Sequence, residues 1–159
     1  MTMQNEQVQQ FWQAFVRSAA CPPSVCEDQP VLAEGFGDNP ALADELGQLV
    51  YDGVKTATCG TLWEYEYGSH PLPQVGQLEI VLDGQGKPLC ITEITAIETK
   101  PYNEVASDFA YAEGEDDRTL DSWRRAHWRY FSRTLATIGR TPEETMPLVC
   151  VRFRVLFKV

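Results

Sequence analysis

Apolar residues recur at Val8, Phe11, Trp12, Phe15 and Val16. This is the i, i+3, i+4, i+7, i+8 spacing of one helix face and predicts an amphipathic helix from about Asn5 to Ala19. The segment Cys21-Pro-Pro-Ser-Val-Cys26 ends it. Asn39 followed by Pro40 reads as an N-cap with proline at the first helical position, and Leu42, Leu46, Leu49 and Val50 supply the stripe of a second helix that stops at Gly53. The period then changes from 3.6 to 2. Leu78, Ile80 and Leu82 alternate up to the turn Asp83-Gly-Gln-Gly86, Leu89 to Ile97 follows as a partner strand, and Val149 to Phe157 alternates in the same way. A further strand is predicted over Lys55 to Trp63. Non-periodic spacing of strands and helices argues against a doubly wound sheet and for an α+β domain, a small mixed or closed barrel flanked by helices.

The longest helix, about Thr119 to Ile138, separates by projection into two faces. Leu120, Phe131 and Ile138 point in one direction with Trp123, Trp128, Tyr130 and Leu135 flanking them, while Arg125, Arg129 and Arg133 point the opposite way and are expected in solvent. Arg124 and His127 depart from this pattern, lying about 40° and 20° from the apolar centre. A charged and a titratable group on a core-facing stripe must be paired or line a cavity.

At 159 residues, with 43% apolar residues, the chain is long enough for one domain to bury a core without disulfides. Five cysteines without a C-x-x-C pair, and only two histidines, argue against a structural zinc site. Cys90 and Cys150 fall in apolar strand runs as small hydrophobes. No metal or cofactor is expected. The polar N-terminus and the lack of a long apolar run suggest a soluble, cytoplasmic protein without membrane association.

The formal charge of −10 opposes a non-specific nucleic-acid coat or an anionic membrane surface. Yet residues 1–123 carry 5 basic and 21 acidic side chains, a charge of −16, whereas residues 124–159 carry 8 basic and 2 acidic ones, +6. Seven of those eight late cations are arginines, the residue that pairs bidentately with phosphate or carboxylate. A local anion site therefore remains open.

Two clusters carry possible chemistry. Lys55-Thr56-Ala57-Thr58 follows the helix stop at Gly53, placing a candidate base and a hydroxyl three residues apart. A desolvated lysine of lowered pKa can take the proton of threonine or water. Glu113-Gly-Glu115-Asp116-Asp117 sets four carboxylates just before the helix that carries Arg124 and His127. Acidic residues there favour the helix N-terminus, and Asp117 or Thr119 can cap it. Gly114 between two glutamates suggests instead a loop laid against something, with a carboxylate able to move a proton.

Gly53-Val-Lys-Thr-Ala-Thr58, Glu113-Gly-Glu-Asp116 and Leu120-Asp-Ser-Trp-Arg-Arg-Ala-His127, with Phe36-Gly-Asp38 before the second helix, together resemble the ASCH domain family in its longer bacterial branch. The resemblance runs from about Phe36 to the C-terminus. It implies residues 36–159 as the ASCH domain, residues 1–35 as an N-terminal helix and linker packed on it, and a PUA-like β-barrel flanked by helices. It also implies an association with RNA or nucleosides. The shorter bacterial acetylcytidine amidohydrolase of this family uses a Lys, a Thr three residues later and a Glu before its long helix; the matching positions are Lys55, Thr58 and Glu115. The loop is one residue longer here, so Glu113 or Asp116 is an alternative site carboxylate. Other similar proteins are ribonucleases on single-stranded RNA.

The resemblance thus implies amide hydrolysis of an acylated cytidine, with Lys55 as base toward Thr58 or water and Glu115 as proton shuttle. Phe36, Asp38, Thr56, Trp63, Glu113, Arg124 and His127 would bind substrate or orient the loop, an aromatic ring stacking on the base. The alternatives are a single-strand ribonuclease and a non-catalytic RNA-binding regulatory module. The partner is a nucleoside or RNA. The chain is expected as a monomer or, if Trp12 and Phe15 exceed what the core absorbs, a homodimer.

Overall fold

The computed structural model describes residues 5–159. Helix α1, Glu6–Val16, is capped by Asn5, whose side chain accepts from the Gln7 N–H. It presents Val8, Trp12 and Phe15 to Val31, Ala33, Leu78, Ile80 and Ile91. The short strand β1, Leu32–Glu34, follows, and Asn39 caps α2, Pro40–Tyr51, by accepting from the Leu42 N–H at 2.9 Å. Both helix starts lie at the asparagines the pattern marks.

Strand β2 covers Ala57–Thr61 and stops two residues before the predicted end. Thr61 accepts from the Glu64 N–H and donates to the Glu64 carboxylate at 2.6 Å. This side-chain capping pair starts helix α3, Leu62–Tyr67, and puts Trp63 on a helix instead of a strand. Strands β3, Leu78–Leu82, and β4, Pro88–Pro101, form the expected hairpin. A 3₁₀ turn, Tyr102–Glu104, leads to α4, Ser107–Glu113; then come α5, Leu120–Ala136, capped by Thr119, and β5, Pro147–Lys158. The segments β1, α3 and α4 are three to seven residues long, too short for a periodic signal.

The architecture is α+β, with one five-stranded sheet in the order β1-β3-β4-β5-β2. β1 runs parallel to β3, β3 pairs antiparallel with β4, and β2 pairs antiparallel with β5 from Ala57↔Arg152 to Thr61↔Leu148. The residues form two compact units: one contains the segment up to Gly53, Gly76–Glu93 and Arg154–Val159, the other Val54–Val75 and Ile94–Phe153. In the first, the core lies between α1 and the β1–β3–β4 strands. In the second, Ala57, Tyr102, Phe109, Trp123, Phe131, Leu135, Met146 and Leu148 form the core. Burial of about 150–250 Å² per aromatic ring makes Trp123 and Phe131 large contributors to that core. No helix among the described residues is long and apolar enough to cross a membrane.

Candidate functional site

The site lies in the second unit, where the chain leaves Val54 for β2. Thr56 anchors this entry, its N–H and hydroxyl both donating to the Ala112 carbonyl at 2.7 and 3.3 Å. Lys55 beside it is 1% exposed. Its ammonium donates to Glu113 Oε1 at 2.9 Å, to Glu115 Oε2 at 3.0 Å and to the Glu113 carbonyl at 3.4 Å. Burial by itself would lower the Lys55 pKa, but the charges of Glu113 and Glu115 and their hydrogen bonds outweigh it and push the value up to about 12. Lys55 is thus a fully protonated cation in this state. The desolvated lysine of lowered pKa expected from the sequence is not what the fold builds, because two carboxylates arrive with it.

Glu113, the last residue of α4, is the hub. Its Oε1 takes Lys55, while Oε2 accepts from the Trp123 indole N–H at 2.6 Å, the Cys59 thiol at 3.3 Å and His127 Nε2 at 3.2 Å. Burial alone would raise its pKa; the cations of Lys55 and His127 and the donated bonds reverse this and hold the carboxyl far below its ordinary range. His127 is buried and stacked on the Trp123 ring at 4.3 Å. Its Nδ1 faces the Trp123 carbonyl at 2.9 Å and its Nε2 faces Glu113. With an acceptor at each nitrogen, the geometry favours a ring protonated at both. Burial opposes that charge, yet Glu113 raises the His127 pKa above its ordinary value. Lys55 and His127 therefore face Glu113 and Glu115, cationic groups against acidic ones, the condition for holding charges away from water.

Cys59, Glu113 and His127 each place a ligand-type atom within 4.8 Å of the others. The Cys59 thiol and His127 Nε2 both meet Glu113 Oε2, the arrangement of a hydrogen-bonded carboxylate. The Cys59 thiol is pushed well above its ordinary pKa, by burial first and by Glu113 second. A cation there would also displace the Trp123 N–H and sit beside Lys55.

The loop bearing Glu115 is strained into place. Gly114 is left-handed at φ 73°, and a Cβ there would lie 2.6 Å from the Val54 carbonyl oxygen and 3.0 Å from Lys55 Cα. Glycine lets this loop lie flat on the Lys55 backbone. Asp116 and Arg118 also have positive φ, 52° and 65°, a conformation of roughly 1 kcal/mol cost or more for such residues. Arg118 holds the turn: it donates to the Tyr111 and Val54 carbonyls at 3.0 and 3.2 Å and stacks over the Tyr111 ring at 3.6 Å. Glu115, with 22% of its side chain exposed, is the partly open member of the ion-paired set.

Lys55, Glu113, Glu115 and His127 are thus brought together, and both candidate glutamates contact the lysine. Asp116 is exposed. Thr58 is half-buried on β2, where strand alternation puts its side chain on the opposite face from Cys59. Trp63 packs at the edge of the core under the Arg140 guanidinium, 4.1 Å from the ring centroid. Arg124 is exposed and lines a cleft with Tyr102, Trp128 and Glu144, the second of the two outcomes its place on the stripe allowed. Phe36 and Asp38 lie between β1 and α2, in the first unit. Trp123, Cys59 and Arg118 are members that the sequence reading passes over. Only Trp123 carried a usable signal, since it stands one turn before His127 on the same stripe.

Comparison with known proteins bears on the fold and the family. Residues 32–157 match the family model of the ASCH domain. The crystal structure of an ASCH domain from Lactobacillus crispatus JV V101 superposes with a TM-score of 0.87 at 33% identity, over 98% of this chain and 99% of that one. A crystal structure of a protein from Enterococcus faecalis V583 gives 0.83 at 39% identity, over 94% and 87%. No curated protein matches this chain. With an α+β, PUA-like fold, a family model that spans residues 32–157 and a 33% identical ASCH domain that superposes over 98% of this chain, the chain belongs to the ASCH domain family.

Proposed function

We propose that this ASCH domain is a hydrolase of an RNA-derived small substrate, cleaving the amide of an acylated cytidine. The observation that carries the reading is the Lys55–Glu115 ion pair, a buried ammonium held at 3.0 Å from a carboxylate that is itself partly open. Glu115 accepts a proton from water as the water attacks the amide carbonyl. The Lys55 cation offsets the negative charge that develops on the carbonyl oxygen, and Glu115 then returns the proton to the departing cytosine amine. Water adds across the C–N bond, leaving a carboxylic acid and cytidine. Lys55 serves as cation and Glu115 as proton carrier, which moves the base role away from the lysine. Glu113, itself held by His127 and Trp123, keeps Lys55 in place. Thr58, on the other strand face from Cys59, stands outside this proton path.

The test follows acetylcytidine hydrolysis by wild type, Glu115→Gln, Lys55→Met and Thr58→Ala, with circular dichroism as the folding control. The expected loss is about 10²-fold or more for Glu115→Gln and little change for Thr58→Ala. No turnover by the wild type, or full turnover by folded Glu115→Gln, sinks the proposal. One observation favours a second reading, ribonuclease action: Arg125, Arg129 and Arg133 are exposed on α5, as is Arg124. It predicts cleavage of a labelled single strand that weakens steeply with salt.

A further inference from the structure

Strand register sets two thiols side by side next to Glu113. The Phe153 N–H donates to the Thr56 carbonyl at 3.0 Å, so Thr56 and Phe153 are a hydrogen-bonded pair of the β2–β5 ladder. By the alternation of an antiparallel ladder, Cys59↔Cys150 is then a non-hydrogen-bonded pair. Such a pair holds its Cα atoms about 4.5 Å apart with both side chains on one face. That spacing lies within the roughly 4.4–6.8 Å over which a disulfide closes without backbone movement. The shared face is the core face: Cys59 packs against the cluster to which Cys150 belongs. Both are free thiols, Cys59 half-buried and Cys150 buried. Cys59 donates to Glu113 Oε2 at 3.3 Å and Cys150 to the Leu148 carbonyl at 3.9 Å, weak bonds that a rotation about χ1 exchanges for the facing sulfur.

We propose that Cys59 and Cys150 are a modification site, a pair that closes into a reversible cross-strand disulfide and thereby acts on Glu113. The oxidant is a hydroperoxide, small enough to reach a half-buried thiol. Cys59 reacts first. Its proton leaves along the bond to Glu113, its sulfur takes one oxygen of the peroxide as the O–O bond breaks, and the departing hydroxide gains the proton and leaves as water. Cys150 attacks the resulting sulfenic sulfur: the S–S bond forms, the S–O bond breaks, and with the Cys150 proton a second water leaves. Two thiols have lost two electrons and two protons, and hydrogen peroxide has become two waters. Burial first and Glu113 second hold both thiols above their ordinary pKa, Cys150 at about 12, so little thiolate is present and the bond forms slowly, over prolonged exposure. The disulfide removes the proton that Cys59 gives to Glu113, leaving Oε2 with Trp123 and His127. It also ties β2, an edge strand that begins two residues after Lys55, to β5. The chemistry is the same whatever substrate the Lys55 site takes.

The test exposes the folded full-length chain to hydrogen peroxide for hours, in a Cys21→Ser/Cys26→Ser background, and maps disulfide-linked peptides by mass spectrometry before and after dithiothreitol. The expected result is a Cys59–Cys150 link that dithiothreitol releases, at least about tenfold more abundant than any link to the buried Cys90, which lies in the other unit. Both Cys150→Ala, which keeps the thiol beside Glu113, and Cys59→Ser, which keeps a hydroxyl there, should lose the link; circular dichroism checks the fold of each. Oxidation should raise the Tm of the background protein and shift the His127 ring resonances, which report on Glu113, until dithiothreitol restores them. No link in the folded chain, a link to Cys90 of similar abundance, or Cys59 carried to sulfinic acid beside a free Cys150 thiol overturns the assignment. A link that leaves the His127 resonances unmoved overturns the action on Glu113.

Discussion

Replacing Glu113 by glutamine keeps the size of the hub and removes its charge. Lys55 and His127, both buried, then lose the anion between them, and the carboxamide must turn an N–H₂ toward one of these donors. Removing one partner of a buried pair costs about 3–5 kcal/mol because the remaining charge is uncompensated. Lys55 keeps Glu115 at 3.0 Å, so the lower end applies, about 3 kcal/mol, or a fall of roughly 6–12 °C in Tm for a chain of this size. Urea denaturation read by tryptophan fluorescence measures it directly. In Lys55→Met the hub keeps its anion but loses its cation. The double variant Lys55→Met/Glu113→Gln should cost less than the two single losses together, by about 1–3 kcal/mol, since both remove one interaction. A stability for Glu113→Gln within about 1 kcal/mol of wild type, or strict additivity in the double variant, would refute the buried hub as the organising element.

The raised His127 pKa sets the alkaline behaviour: its stabilisation is complete below the ordinary value of 6.5 and is lost as pH rises through the folded-state value. The stability gap between wild type and His127→Gln should therefore narrow from pH 6 to pH 9, and nuclear magnetic resonance at pH 7 should show protons on both ring nitrogens. Glu113 acts with the opposite sign; its depressed pKa contributes stability above the ordinary carboxylate value of 4.5 that is lost on acidification, which a Glu113→Gln comparison between pH 5 and pH 3 detects. Gly114→Ala forces a Cβ against the Val54 carbonyl at a positive φ and should destabilise by about 2 kcal/mol or more in denaturant melts. Thr119→Ala removes the oxygen that accepts from the Ser122 N–H at 3.2 Å and should cost about 1 kcal/mol by the same measurement.

Local pattern was enough for the long elements. The stripes of α1, α2 and α5, the cap at Asn39, and the β3–β4 hairpin follow from spacing, because amphipathic periodicity and side-chain capping act within a few residues of chain; at α5 spacing left Asp117 or Thr119, and the fold uses Thr119. Thr61 and Glu64 have the spacing of a capping box, and that local bond ends the strand expected over Lys55 to Trp63 at Thr61. The site was legible as a set of motifs and not as a set of charges. Glu113 and Lys55 lie 58 positions apart in the chain, and the protonation states of Lys55, His127 and Cys59 depend on which groups meet after burial. Desolvation alone drives a lysine toward the neutral form; the carboxylates that pack against it drive it the other way. Sequence by itself therefore determined the three long helices, the main strands and the residues eligible for the site. Only the tertiary structure decided that Lys55 is a held cation, that Glu113 is the hub and Glu115 its open neighbour, and that Arg124 faces outward, because electrostatic energy depends on distances and burial that no local pattern contains.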